Sequence, residues 1–245
     1  MNKPIRLGIL TPSSNTALEP LISAMSAKMP DCSAHFSRFK VTEIALTNKA
    51  LQQFDDSKIL AAAELLADAK VDVIVWSGTA AGWMGFDSDQ RLCDHIYQRT
   101  GTVATTAVLA LNELLKIAGV KRLALVTPYT GDIQQRIVAN YAREGIAVVA
   151  ERHMQISVNH DFALVEPHTL RQLIREVSTH ANNAQPQAIS TYCTNLRAAP
   201  LADRMEVELG IPLLDTVSAT FWGALRATGA DPSQVQGWGS LFAMR

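Results

Sequence analysis

The chain has 245 residues, 48% of them hydrophobic and 18% charged, and its 22 Lys and Arg against 23 Asp and Glu leave a formal net charge of −1. That balance describes a well-packed globule with one large core or two modest ones, and the absence of any basic stripe or aromatic-interleaved Lys/Arg run excludes an electrostatic nucleic-acid binder. No stretch approaches the ~20 apolar residues of a bilayer span, and three cysteines without a C-x-x-C pair exclude a disulfide framework or a zinc knuckle.

In chain order, Met1-Asn2-Lys3-Pro4-Ile5-Arg6 leads straight into a strand without the apolar stretch and small-residue cleavage site of a signal peptide, so the cytoplasm is expected. Arg6 to Thr11 reads as a strand, Asn15 to Lys28 as a helix, Ala34 to Val41 as a strand, Ser57 to Lys70 as a helix and Val71 to Trp76 as a buried strand. Helices are expected from Asp87 to Arg99 and from Thr105 to Ala118, then a strand from Arg122 to Thr127 and a helix from Asp132 to Glu144. Strand and helix alternation with runs such as Val-Asp-Val-Ile-Val predicts an α/β fold with mostly parallel sheet flanked by helices on both faces.

The same plan occurs twice. Leu7-Gly-Ile-Leu-Thr-Pro12 returns as Leu123-Ala-Leu-Val-Thr-Pro128, and Val73-Ile-Val-Trp-Ser-Gly78-Thr79 as Ala188-Ile-Ser-Thr-Tyr-Cys193-Thr194. Thr100-Gly101, leading into a helix that ends at Ala118-Gly119, matches Leu209-Gly210, leading into one that ends at Thr228-Gly229. Pro12 to Gly78 spans 66 positions and Pro128 to Cys193 spans 65. Two pseudo-symmetric lobes are therefore expected, residues 1–115 and 116–216, with 217–245 packing back on the first and the active site in the cleft between them.

Ligands of parallel α/β sheets bind beyond the carboxyl ends of the strands. Four repeated turns fall there: Thr11-Pro-Ser-Ser-Asn15, Ser77-Gly-Thr-Ala80, Thr127-Pro-Tyr-Thr130 and Tyr192-Cys-Thr-Asn195. Ser13, Ser14 or Asn15 can cap the helix that follows, whose positive end would receive an anion. Cys193 sits in a loop whose N–H groups would favour the thiolate, whereas Cys32, in a loop after Pro30, and Cys93, on a helix, read as structural. Tyr129 can donate to a developing oxyanion. Pro12, Ser13, Ser14, Asn15, Gly78, Thr79, Ala80, Thr194 and Asn195 complete the candidate carboxylate cradle, while Trp83, Phe86 and Trp222 read as core or pocket lining. The six histidines show no metal-binding spacing, Gly78 to Gly85 lacks the ending of a phosphate loop, and no G-x-S-x-G is present.

Thr11-Pro-Ser-Ser-Asn-Thr16, Ser77-Gly-Thr-Ala-Ala-Gly82, Val126-Thr-Pro-Tyr129 and Tyr192-Cys-Thr-Asn-Leu-Arg197 together resemble the aspartate/glutamate racemase superfamily, in its arylmalonate decarboxylase and maleate cis-trans isomerase branch. The resemblance implies two lobes, no metal or organic cofactor, and a small carboxylate or dicarboxylate substrate held by backbone N–H groups and hydroxyls. Racemases and isomerases of this kind use two facing cysteines. Here one is Cys193 and the position of the other is Gly78, the pattern of arylmalonate decarboxylases, where one thiol reprotonates an enediolate. Ala80 departs from those decarboxylases, which carry a hydroxyl there, and Ser13-Ser14-Asn15-Thr16 is closer to the maleate isomerase loop. Isomerisation or racemisation, or carboxylate binding without turnover, stand as alternatives, and the resemblance leaves room for a homo-oligomer.

Overall fold

Strand β1 (Ile5–Pro12) lies at the centre of a parallel sheet, paired on one side with β2 (Cys32–Phe39) and on the other with β3 (Val73–Trp76). In the computed structural model, which describes residues 4–29, 31–47, 53, 56–179 and 185–245, β4 (Ala104–Thr106) joins β3 to complete the order β2-β1-β3-β4. A strand with neighbours at both edges and helices over both faces has no wet side. Hence Leu7, Ile9, Leu10 and all four residues of β3 are buried, each large aliphatic among them worth about 1.5–3 kcal/mol.

The second sheet repeats the plan with β5 (Arg122–Thr127) between β6 (Ala147–His153) and β7 (Ala188–Thr191), again parallel. A single parallel bridge from Ile189 to Leu213 stands where the first sheet has β4. The helices are α1 (Leu18–Ser26), α2 (Asp56–Asp68), α3 (Ala81–Met84), α4 (Asp87–Thr100), α5 (Ala107–Ile117), α6 (Gly131–Arg143), α7 (Pro167–Ser178), α8 (Ala202–Leu209) and α9 (Thr216–Thr228). Gly101 and Gly210 end α4 and α8 in the left-handed conformation, at φ +70° and +65°, so the repeat read from sequence holds at the level of backbone geometry.

Three local expectations shift. The helix expected from Asn15 begins at Leu18, because Asn15 stays outside as a cap: its Oδ1 accepts from the N–H groups of Ala17 and Leu18. The strand expected from Ala34 begins at Cys32, which is therefore in the sheet and not in a loop. Thr105 belongs to β4 rather than to the following helix, and Thr106 caps α5 by accepting from the Leu109 N–H at 3.0 Å. Helix α9 is buried along its first ten residues and packs on α5, β3, β4 and α1 of the first half. Among the described residues no helix is long and apolar enough to cross a membrane.

Candidate active site

The two halves are stitched together at their strand-end turns. Thr194 Oγ1 donates to the Ser77 carbonyl at 2.9 Å, Asn15 Nδ2 donates to the Thr194 carbonyl at 3.1 Å, and Asn195 Oδ1 accepts from the N–H groups of Thr16 and Ala17. All but the part-buried Thr16 bond are buried, and leaving a buried donor unpaired there costs about 1–3 kcal/mol. The first, second and fourth turns thus hold one another in register. The side-chain carbonyls of Asn15 and Asn195 also take up the amide hydrogens of Thr16, Ala17 and Leu18 at the start of α1, where the sequence suggested an anion.

A small cavity opens where the turns meet. Of the residues singled out from sequence, Pro12, Gly78, Thr79, Ala80, Tyr129, Cys193 and Thr194 line it. Ser13, Ser14, Asn15 and Asn195 stand behind the lining. Ser14 Oγ donates to the Val41 carbonyl at 2.6 Å and accepts from Asn159 Nδ2 at 2.8 Å, while Ser13 Oγ accepts from the Val41 N–H. Val41, Ile44, Trp76 and Asn159 line the cavity without having been singled out, and Trp83 joins them, whereas Phe86 packs on Tyr141 and Trp222 lies in the core.

Val41 and Ile44 belong to a strap that follows β2 and meets its counterpart after β6. The Ile44 N–H donates to the Ser157 carbonyl at 2.9 Å, the Asn159 N–H to the Thr42 carbonyl at 3.0 Å, and Glu43 bridges Val158 antiparallel. Under this clasp the free interior is about 20 Å³, room for one water.

The thiol of Cys193 is 3% exposed. Burial pushes it up to about 12, against the opposing pull of a hydrogen bond from the Tyr129 hydroxyl and of the Asn195 N–H, 3.4 Å from Sγ. The sequence-based expectation of a thiolate is therefore corrected: this sulfur carries its proton at neutral pH, because desolvation outweighs the amide donors. Tyr129 is itself buried and held well above its ordinary value by burial first and by the neighbouring thiol second. Its hydroxyl lies 2.5 Å from Thr79 Oγ1, so thiol, phenol and threonine form one continuous hydrogen-bonded row.

Behind the thiol, Asp215 caps α9 by accepting from the N–H groups of Val217 and Ser218, and it accepts from Thr191 Oγ1 at 2.6 Å; burial raises it to about 6. Its counterpart position in the first half is the cap Thr106, which donates to the buried Asp89. Burial also holds Cys32 at about 11 and Cys93 at about 12, in keeping with structural roles. Among the described residues no group of three or more His, Cys, Asp or Glu could hold a metal ion.

The fold and site define a class: a two-lobed parallel α/β protein whose interlobe cavity carries one protonated thiol beside a tyrosine and a threonine. A model of the arylmalonate decarboxylase family matches residues 18–242, and the chain belongs to that family. It is 28% identical over 255 residues to a Pseudomonas putida maleate isomerase, covering 99% of each chain. It is 31% identical over 147 residues to the arylmalonate decarboxylase of Bordetella bronchiseptica, 59% of this chain and 60% of that one. A Pseudomonas putida maleate isomerase crystallised with maleate superimposes with a TM-score of 0.87 at 28% identity, covering 99% of this chain and 98% of that one.

Proposed function

We propose that the chain is a cofactor-independent enzyme that decarboxylates a malonate carrying an apolar substituent, with Cys193 delivering a single proton to the resulting carbanion. The observation that carries this reading is one buried thiol sharing the cavity with a turn that has none, Cys193 against Gly78. Moving a proton off one face of a carbon and onto the other needs two placed acid/base groups. Loss of CO₂ generates the carbanion without a base, so one acid suffices.

In this reaction the bond from the α-carbon to one carboxylate breaks, and its electron pair passes into the remaining carboxylate as an enediolate. Thr79, Tyr129 and the amides of the two facing turns stabilise those oxygens. The Sγ–H proton goes to the α-carbon, and the thiolate left behind is held by the Tyr129 hydroxyl and the Asn195 N–H until water reprotonates it. Val41, Ile44, Trp76 and Trp83 give the site an apolar wall. A carboxylate pressed against that wall loses hydration, which leaving as neutral CO₂ relieves. Pro12, Gly78, Ala80 and Thr194 shape the cavity, with Ser13, Ser14, Asn15 and Asn195 fixing its turns.

The test is a panel of substituted malonates, maleate, aspartate and glutamate offered to the purified protein. Release of CO₂ from malonates, reduced by about 10³-fold or more in Cys193→Ala, is the expected result; equal turnover by both proteins removes the thiol from the chemistry. A second reading, maleate isomerisation through a thioether on Cys193, is favoured by the full-length similarity to maleate isomerases and by the missing hydroxyl at Ala80. Fumarate formed from maleate, with a maleate-mass adduct on Cys193, would select it.

A further inference from the structure

The turn that lacks a thiol is also closed to one. Gly78 is outside the left-handed region, so its backbone would accept an ordinary residue. What excludes a side chain is Trp76. A Cβ on Gly78 would lie 2.0 Å from Trp76 Cζ2, 2.4 Å from Cε2 and 2.6 Å from Cη2, all far inside van der Waals contact. The indole has little room to retreat. It is 2% exposed, its ring packs 5.0 Å from that of Phe39, and its backbone is held in β3 between β1 and β4.

The second half shows the reverse assignment of bulk. There Thr191 stands at the position equivalent to Trp76, and Cys193 at the position equivalent to Gly78. Thr191 is small and turns its hydroxyl to Asp215, leaving space two residues on for the sulfur. Size has been exchanged between the two members of the pair: ring then nothing in one lobe, hydroxyl then thiol in the other.

We propose that Trp76 is the specificity-determining residue that makes this site one-sided. Its indole holds the volume a second acid/base group would need and presents that face to substrate as an apolar wall, restricting proton delivery to the Cys193 side. The consequence for chemistry rests on the single-thiol reading above, while the steric lock stands on geometry alone. A two-thiol site therefore requires two changes, with Trp76 made smaller before Gly78 can be enlarged.

A double-mutant cycle read by thermal melting tests the lock without any substrate. Gly78→Ala should lower the Tm by several degrees, or prevent folding, in the otherwise unchanged protein, and should lower it by less than half as much in a Trp76→Val background. Trp76→Phe provides the background if Trp76→Val does not fold. Equal losses in both backgrounds, or no loss in either, overturn the proposal. A second arm incubates enantiopure 2-phenylpropanoate in D₂O with Gly78→Cys and with the Trp76→Val/Gly78→Cys pair. Exchange and racemisation by the pair but not by Gly78→Cys alone is the expected result. Racemisation by Gly78→Cys alone overturns the lock. Coupling in the melting cycle without exchange by the pair upholds the lock and counts against the proton-transfer reading of the site.

Discussion

The turns at residues 76–79 and 191–194 are one loop built twice, and they differ in where the bulk sits. In the first, Trp76 fills the space beside Gly78; in the second, Thr191 leaves space that Cys193 occupies. Both end a parallel strand that pairs with the central strand of its sheet, β1 or β5, and both reach the same cavity. A duplicated site can thus lose its chemical symmetry while its backbone symmetry persists, and the difference lies in the strand residue packed against the turn as much as in the turn itself.

The largest expected effect breaks the thiol side of the comparison. Cys193→Ala should abolish turnover by about 10³-fold or more while leaving the Tm within a few degrees, measured by CO₂ release and by melting. Next comes Tyr129→Phe, which removes the donor that steadies the thiolate and holds Thr79. It should cost roughly 10²-fold in kcat with a smaller change in KM, and a change confined to KM would move Tyr129 out of the reacting row.

The pH dependence sharpens the contrast between acid and nucleophile. The buried thiol is raised to about 12, so the acidic form persists across neutral pH and activity should not fall on the alkaline side until well above pH 9, read from kcat against pH. The stability sign agrees: a thiol whose folded value is raised holds its proton more tightly in the folded state, so its contribution is complete below the unfolded value of 9.0 and is lost as pH rises toward 12.

The smallest effect compares the buried acids of the two halves, Asp89 and Asp215, raised by burial to about 7 and about 6 from 3.8. Each favours the protonated form in the fold, so stability is greatest below about pH 4 for these groups and declines as pH rises through 6–7. Asp89→Asn should flatten that decline in a Tm-against-pH series. An unchanged slope would mean that other groups, such as Asp215, carry it.

Much of this was legible in the chain. Thr11-Pro12 and Thr127-Pro128, with Gly78 and Cys193 at matching distances, are local patterns, and local patterns survive in sequence. Three features were not. The strap at 41–44 pairs with 157–159 across more than a hundred residues, and a single antiparallel bridge leaves no period to detect. Trp76 reads as one more apolar strand residue, since a core side chain and a cavity wall have the same sequence signature. The protonation of Cys193 follows from burial by both halves, and the amide donors near it, which alone were visible, point the other way. Asn15 and Asn195 were similarly legible as polar turn residues, yet their carbonyls serve α1.

The most direct measurement follows a prochiral α-methyl-α-arylmalonate in D₂O and reads both isotope and configuration of the product by NMR. The account predicts one deuterium at the α-carbon in a single enantiomer, with no product formed by Cys193→Ala. A racemic product, or labelled product formed equally well without the thiol, would contradict it.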